Sequence, residues 1–220
     1  MIIGITINNI LRDHITQLRK AYSLLTEKEP IEPINPFDLE TSFPTVESEI
    51  ASQEFKPNND TEMVLDMVAN EQDDNFNVFE FMYEEASFEV FGRSDEAIDG
   101  LLNKLKSLEK KLKVEFVLLN KESPRSKCAT LFFLSKNNFD FKKIYFPNKE
   151  KEFWSYVDVL ITDTPKILKS KPKNKTSIKI QNDFNVDIKS DFTIIGLNDN
   201  LKELKNTIKM FLFFQTQLIQ

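Results

Sequence analysis

Polar side chains stand where three predicted strands end. Thr6 and Asn8 close the first apolar run, Asn120 follows a second, and Asp163 follows a third. Because parallel strands end at the same edge of a sheet, we expect these four side chains to meet in one crevice. Threonine and asparagine do not exchange protons near neutral pH as a carboxylate does. Asp163 is therefore the only acid–base group of the four.

The sequence has few residues that could support other kinds of catalysis. The chain has one cysteine, Cys128, and one histidine, His14. An internal disulfide and a zinc site made of cysteines are therefore excluded. A Ser-His-Asp or Cys-His pair would depend on His14, which we interpret as a residue on the surface of a helix. The sequence also contains no G-x-S-x-G motif.

Length and composition suit one compact domain, or one domain with a large insertion. The chain has 220 residues, of which 40% are hydrophobic and 29% charged, and its twenty phenylalanines are enough for a core. The first apolar run is too short for a signal peptide, and no stretch approaches the roughly 20 apolar residues of a membrane span. We predict a location in a virion or in the cytoplasm of a host cell, without secretion through a signal peptide.

Strands alternate with helices over most of the sequence. This order predicts an α/β fold with a doubly wound, Rossmann-like parallel sheet. We assign 1–11 and 93–220 to the α/β core and 12–92 to an acidic insertion. The predicted core elements are strands at 1–7, 114–119, 142–146 and 157–162 and helices at 94–111, 124–136, 149–156 and 198–220.

Two surfaces are candidates for binding partners. The last helix carries an apolar face that includes Phe211, Phe213, Phe214 and Leu218, and we predict that it contacts other protein subunits. Six lysines lie from Lys166 to Lys179 with no acidic residue among them, and a third hypothesis is that they bind phosphate or a nucleic acid. No aromatic residue interleaves these lysines to stack on bases, and the chain is acidic overall, so the sequence argues against a nucleic-acid partner.

Residues 3–11 read Ile-Gly-Ile-Thr-Ile-Asn-Asn-Ile-Leu. This segment resembles the first strand of the haloacid dehalogenase-like (HAD) hydrolases, most closely their 5'-nucleotidase branch, which reads apolar-Gly-apolar-Asp-apolar-Asp-Gly-apolar-Leu. In that family the first aspartate attacks phosphorus and binds Mg²⁺, and the second is the general acid and base. Thr6 and Asn8 stand at these two positions, so the resemblance implies the fold without two of its catalytic groups.

Residues 159–165 read Val-Leu-Ile-Thr-Asp-Thr-Pro and resemble a second family motif, apolar-Leu-Ile-Asp-Asp-x-Pro. The resemblance places Asp163 on the second acid of that motif, which contacts magnesium. It places Asn120 on the phosphate-binding Ser or Thr and Lys149 or Lys151 on the family's lysine. The acidic insertion lies where the family has a cap domain.

From these replacements we predict a catalytically inactive HAD-like domain without a cofactor. It would act as a structural or protein-interaction subunit of a homo- or hetero-oligomeric assembly. The abundance of Asn, Lys, Ile and Phe is typical of an AT-rich genome. The setting that we predict is therefore a bacteriophage virion, in a ring of the tail or of the head–tail connector.

The alternative hypothesis is a nucleotidase-like, magnesium-dependent phosphohydrolase with unusual catalytic residues. Its carboxylate would be Asp158 or Asp163, together with acids from the insertion. Mg²⁺ would bind only weakly at Asp163, because this ion prefers a site anchored by carboxylates and, with Thr6 and Asn8 in place of two acids, Asp163 is the only one.

Overall fold

The computed structural model describes residues 1–43, 77–139, 141–196 and 201–217, with side chains of the last helix as far as Phe213. The chain divides into two compact units. The first consists of Met1–Asp13, Asp95–Glu122 and Leu134–Gln220, and the second of His14–Ser94 and Ser123–Phe133. The segment Ser123–Phe133 thus groups with the inserted unit, whereas the sequence-based boundaries assign it to the core.

The described part of the chain forms eight strands. They are β1 (Ile2–Thr6), β2 (Arg12–Asp13), β3 (Asp95–Glu96), β4 (Glu115–Leu119), β5 (Ile144–Tyr145), β6 (Val159–Thr162), β7 (Thr176–Gln181) and β8 (Phe192–Ile195). Six of them form one sheet in the order β5-β4-β1-β6-β7-β8, and every neighbouring pair in it is parallel. The strands β2 and β3 form a separate antiparallel pair.

Helices alternate with these strands along the chain. They are α1 (His14–Thr26), α2 (Leu39–Ser42), α3 (Val78–Glu80), α4 (Leu101–Leu112), α5 (Pro124–Lys136), α6 (Pro165–Lys169) and α7 (Leu201–Gln217). Two π-helical turns cover Phe81–Glu85 and Phe88–Gly92, and a 3-10 helix covers Glu150–Tyr156. The predicted α/β class with a doubly wound parallel sheet is confirmed.

Strand β1 is one of the inner strands of the six-stranded sheet. It pairs with β4 on one side, where Ile2 lies opposite Glu115, and with β6 on the other, where Ile3 lies opposite Val159. Both faces of a parallel sheet are normally covered, which accounts for an almost wholly apolar, buried strand. Thr6 is the last residue of the strand and therefore lies at its carboxyl end.

Gly4 lies in β1 where neighbouring side chains leave no room for a methyl group. A Cβ atom built on it would lie 2.5 Å from Leu119 Cδ1 and 2.6 Å from Val157 Cγ1. We expect Gly4→Ala to lower the free energy of unfolding by about 1–3 kcal/mol through overpacking. Urea unfolding of the two proteins measures the difference. Gly100→Ala cannot serve as a control for overpacking, because Gly100 has a positive φ of 68° and alanine there would strain the backbone. An unchanged midpoint for Gly4→Ala would contradict this packing.

Several predicted elements need correction. The sheet has two strands, β7 and β8, where the sequence predicts none. In β7 the charged Lys179 stands between Ile178 and Ile180 and interrupts the apolar run. The helix predicted to begin near Ser94 starts instead at Leu101, after the left-handed Gly100. Residues 95–96 form β3, which pairs with β2.

The second unit has its own apolar core. The buried members of this core are Leu18, Tyr22, Leu39, Phe43, Val78, Phe81, Met82, Ala86, Val90, Phe91 and Ala129. His14 belongs to this unit and is only 3% exposed, with its ring 5.7 Å from that of Phe91. The interpretation of His14 as a surface residue is therefore wrong, because its helix turns this side chain toward the core.

The last helix carries the residues proposed to contact other subunits. Phe213 is 60% exposed and Phe211 is partly buried, whereas the side chains of Phe214 and Leu218 lie outside the described part of the chain. The contact with other subunits stays a prediction.

Among the helices of the described residues, none has the length and apolar character that a membrane crossing requires.

Candidate functional site

The carboxyl ends of β1 and β6 bring two hydroxyl groups together. Thr6 Oγ1 donates to Thr162 Oγ1 at 3.1 Å, and the backbone N–H of Thr164 donates to the same oxygen at 3.2 Å. Both threonines are buried. The proton of Thr6 is thus directed at another hydroxyl and not at a base, so the Thr6 oxygen lacks the partner that activates a nucleophile.

A tight turn after β1 brings Arg12 back to Asn8. The N–H groups of Leu11 and Arg12 both donate to the carbonyl of Ile7, at 2.8 and 3.1 Å, and Asn9 adopts a positive φ of 64°. Asparagine is among the residues that tolerate this backbone conformation best. Arg12 can then donate from both Nε and Nη2 to Asn8 Oδ1, with Nε at 3.0 Å.

The guanidinium of Arg12 is also paired with a carboxylate from the next strand. Its Nη2 lies 2.9 Å from Glu122 Oε1, and both side chains are completely buried. Asn120 follows β4; its Nδ2 donates to the same Glu122 oxygen, and its Oδ1 accepts the N–H of Asn8 at 3.4 Å. Four residues from two neighbouring strand ends therefore form one polar network, which we call the Arg12 network: Asn8, Arg12, Asn120 and Glu122.

Asp163 lies at the end of β6 with 2% of its surface exposed. Burial raises the pKa of its carboxyl group to about 7, and hydrogen bonds from its own backbone and from the side chains of Asn9 and Thr164 offset only part of that rise. The hydroxyl of Thr164 lies 3.3 Å from Asp163 Oδ1. A carboxyl group with a pKa near neutrality can both accept and release a proton under physiological conditions.

The backbone around Asp163 is held from two directions. Asn185 Nδ2 donates to the carbonyl of Asp163 at 2.7 Å, and Lys179 Nζ donates to three carbonyls of the same loop, those of Asn185, Val186 and Ile188. On the other side, α6 begins at Pro165, and its carbonyl at Ile167 accepts the indole N–H of Trp154 at 3.2 Å. These hydrogen bonds hold the backbone on both sides of Asp163.

The structure places the four predicted site residues at the same edge of the sheet. Thr6 lies beside Thr162, Asn8 lies beside Asn120, and Asp163 directly follows Thr162. Asp158, the other candidate of the alternative hypothesis, does not join them. It lies just before β6, at the opposite edge, where its Oδ2 accepts the N–H of Ile2 at 2.9 Å.

The family's lysine has two candidates in this chain, Lys149 and Lys151. Lys149 and Lys151 are both exposed, at the start of the 3-10 helix. Lys121 follows Asn120 directly, and its Nζ lies 3.5 Å from Glu150 Oε1. The pKa of Glu150 is lowered by a backbone hydrogen bond and further by the charges of Lys121 and Lys166. Lys121 and Lys166, both exposed, thus supply positive charge a short distance after Asn120 and Asp163 in the sequence.

Sequence reasoning missed Arg12 and Glu122. Arg12 stands four residues after Asn8, and Glu122 stands two residues after Asn120. The only signal was this spacing, since a tight turn after β1 returns the fourth following residue to the strand end. A charged residue directly after the apolar pair Ile10-Leu11 was counted as the start of the insertion.

Comparison with solved structures identifies the fold. Neither a protein-family model nor a curated protein sequence matches the chain. A haloacid dehalogenase-like protein from Agrobacterium tumefaciens aligns over 96% of this chain and 98% of its own, with a TM-score of 0.53 and 14% identity. The HAD-hydrolase YfnB from Bacillus subtilis, bound to magnesium, covers 93% and 98% at a TM-score of 0.51 and 13% identity.

CbbY from Rhodobacter sphaeroides, in complex with phosphate, covers 91% of this chain and 96% of its own, with a TM-score of 0.51 and 9% identity. The chain therefore has the fold of the haloacid dehalogenase-like hydrolases over nearly its whole length. The expected absence of enzymatic activity is contradicted, because the structures that share this fold include hydrolases.

The donor atoms of this site do not match a magnesium site. Mg²⁺ takes oxygen ligands with one or two carboxylates as anchors. Asn8 Oδ1 and Glu122 Oε1 already accept hydrogen bonds from a guanidinium cation. Within the described ranges, no group of three or more His, Cys, Asp or Glu side chains is placed to hold a metal ion. Asp163 is the only carboxylate among the four predicted site residues, and the hydroxyls of Thr6 and Thr162 beside it hydrogen-bond to each other.

Proposed function

We propose that this chain is a phosphohydrolase in which Asp163 is the acid–base group. The observation that carries the proposal is the position of a buried, partly hydrogen-bonded carboxyl group at the carboxyl end of β6. Active sites of open α/β sheets lie outside the carboxyl ends of their strands. Burying a carboxyl group without a cationic partner costs stability, and such groups concentrate at functional sites.

The reaction that suits these residues uses water as the nucleophile. Thr6 has no base to activate it, so a covalent intermediate on this side chain is not part of the proposal. A water molecule attacks the phosphorus of a phosphate monoester and gives its proton to the Asp163 carboxylate. The bond from phosphorus to the ester oxygen breaks, and the departing alkoxide takes a proton from solvent. The products are an alcohol and inorganic phosphate.

The negative charge of the substrate needs positive partners. Lys121 and Lys166 are exposed and lie close to Glu150, and each stands within a few residues of Asn120 or Asp163 in the sequence. We assign to these lysines the contact with the phosphate group. The nucleotidase-like preference implied by residues 159–165 makes nucleoside monophosphates the first substrates to test.

Phosphate release from a panel of monoesters tests this function. We expect Asp163→Asn to lower kcat/KM by about 100-fold or more, the usual contribution of a positioned general base. We also expect kcat/KM of the unmodified protein to rise with pH and to level off above about 7, because the carboxylate is the form that accepts the proton.

Asp158→Asn is the matched control. It makes the same substitution just before the other end of β6, beside Ile2, and is expected to leave turnover unchanged. Turnover that is equal in Asp163→Asn and in the unmodified protein would reject the proposed role of Asp163. If the pure protein releases no phosphate from any monoester, the proposed function is wrong as a whole.

A further inference from the structure

The buried charged side chains at the carboxyl edge supply two cations. Among the described residues of the first unit, the buried ionisable side chains are Arg12, Glu122, Asp163 and Lys179. The ammonium group of Lys179 donates to three backbone carbonyls at 2.8–3.2 Å. The hydrogen bonds of Lys179 thus stabilise the loop that follows β7. Arg12 is the cation that binds side-chain oxygens at the ends of β1 and β4.

The oxygens that bind Arg12 are the types that a hard metal ion prefers. One is the amide oxygen of Asn8, which accepts from both Nε and Nη2. The other is a carboxylate oxygen of Glu122, 2.9 Å from Nη2, which also accepts from Asn120. Amide and carboxylate oxygens are typical ligands of Mg²⁺ and Ca²⁺. Here the planar, permanently charged guanidinium of Arg12 binds these oxygens, and no metal ion is needed to do so.

We propose that the guanidinium of Arg12 takes the place of a divalent metal ion at this edge of the sheet. The proposal extends the proposed function, since it concerns the same site. The positive charge near the strand ends is then part of the chain itself. Hydrolysis at this site does not depend on an added metal ion, in contrast to the magnesium bound in the B. subtilis structure.

Competition between the two cations is the physical reason. A divalent ion bound to Asn8 Oδ1 or Glu122 Oε1 would lie within about 5 Å of the guanidinium, where like charges repel. Binding of the ion would therefore require the guanidinium to leave. That would break a fully buried ion pair, which is strongly destabilising.

Thermal unfolding with and without Mg²⁺ tests the proposal without any substrate. We expect the Tm of the unmodified protein to change by less than about 1 °C between EDTA and about 10 mM Mg²⁺, whereas an ion bound with a Kd near 0.1 mM would raise it by roughly 5–10 °C. Arg12→Met leaves the oxygens of Asn8 and Glu122 free of the guanidinium. We expect this variant to have a lower Tm that Mg²⁺ raises by several degrees.

Arg12→Lys is the matched control, because it retains a cation and is expected to stay insensitive to Mg²⁺. A saturable rise in the Tm of the unmodified protein would overturn the proposal. So would a folded Arg12→Met whose Tm does not respond to Mg²⁺, since the guanidinium would then not be what excludes the ion.

If Arg12→Met does not fold, the unmodified protein still decides the question. Mn²⁺ replaces Mg²⁺ at most oxygen sites and broadens the NMR signals of nearby nuclei. Selective broadening of the amide signals of Thr6, Asn8 and Asn120 would overturn the proposal, and unchanged line widths would support it. Neither readout depends on turnover, so a failure of the proposed hydrolysis remains distinguishable from a failure of this inference.

Discussion

Asp163→Asn is expected to stabilise the protein near neutral pH, by an amount that grows as the pH rises from about 4 to about 7. Burial raises the pKa of this carboxyl group to about 7, whereas the unfolded chain has a value near 3.8. Between these values the folded state binds the proton and the unfolded state has lost it. Stability therefore falls as the pH rises through this window and is constant above it.

The expected difference is about 4 kcal/mol above pH 7, because each unit of pKa shift corresponds to about 1.4 kcal/mol. Asparagine has the shape of the protonated acid and carries no charge, so it does not pay this cost. Urea unfolding of both proteins at several pH values between about 4 and 8 measures the difference. All other titrating groups are common to both proteins and largely cancel.

A difference that stays constant over this range would mean that Asp163 is not desolvated in the folded protein. The same substitution is expected to remove hydrolysis. A variant that is more stable and less active than the natural chain is the usual sign of a group kept for function at the expense of stability.

Glu122→Gln is expected to lower the free energy of unfolding by about 3–5 kcal/mol, because it removes the carboxylate from a fully buried ion pair with Arg12. Removing both charged groups should cost much less than the two single changes together. In the double variant Arg12→Met with Glu122→Leu, no charge stays buried in the Arg12 network. Replacing a buried ion pair by apolar side chains of similar size is often neutral or even stabilising.

A double-mutant cycle of Arg12→Met and Glu122→Leu, each alone and both together at one pH, measures this coupling. Arg19 provides the comparison, since its ion pairs with Glu29 and Glu32 are largely exposed. Exposed pairs contribute about 0–1 kcal/mol, so Glu32→Gln should have little effect. If the effects of Arg12→Met and Glu122→Leu simply add, the two side chains are not paired in solution.

The sheet could be predicted wherever a strand is apolar on both faces. Residues 2–6 and 115–119 are almost entirely hydrophobic, and both are strands close to the predicted bounds. Strand β7 could not be found in this way because Lys179 lies within it. This lysine is buried, and its charge is satisfied by three carbonyls of a loop that local sequence does not reveal.

The sequence predicts only those residues of the site that come at the end of a recognisable apolar strand. Thr6, Asn8, Asn120 and Asp163 follow apolar runs, and parallel topology places them at one edge. Arg12 and Glu122 were missed because a buried ion pair joins residues 110 positions apart in the chain. The sequence gives no sign that either residue is buried, because charged residues are usually exposed. Only the tight turn after Ile7 brings Arg12 back to the sheet.

The place of β1 in the sheet also bears on how the chain folds. This strand leaves the ribosome before both of its neighbours, and Thr6 binds a residue 156 positions further along the chain. Until β4 and β6 have been made, an apolar segment with unpaired backbone groups has no sheet to join. Contacts over such long separations slow folding and expose nascent chains to aggregation. We therefore expect synthesis arrested before β6 to yield chains that bind chaperones, and synthesis carried past β8 to release them.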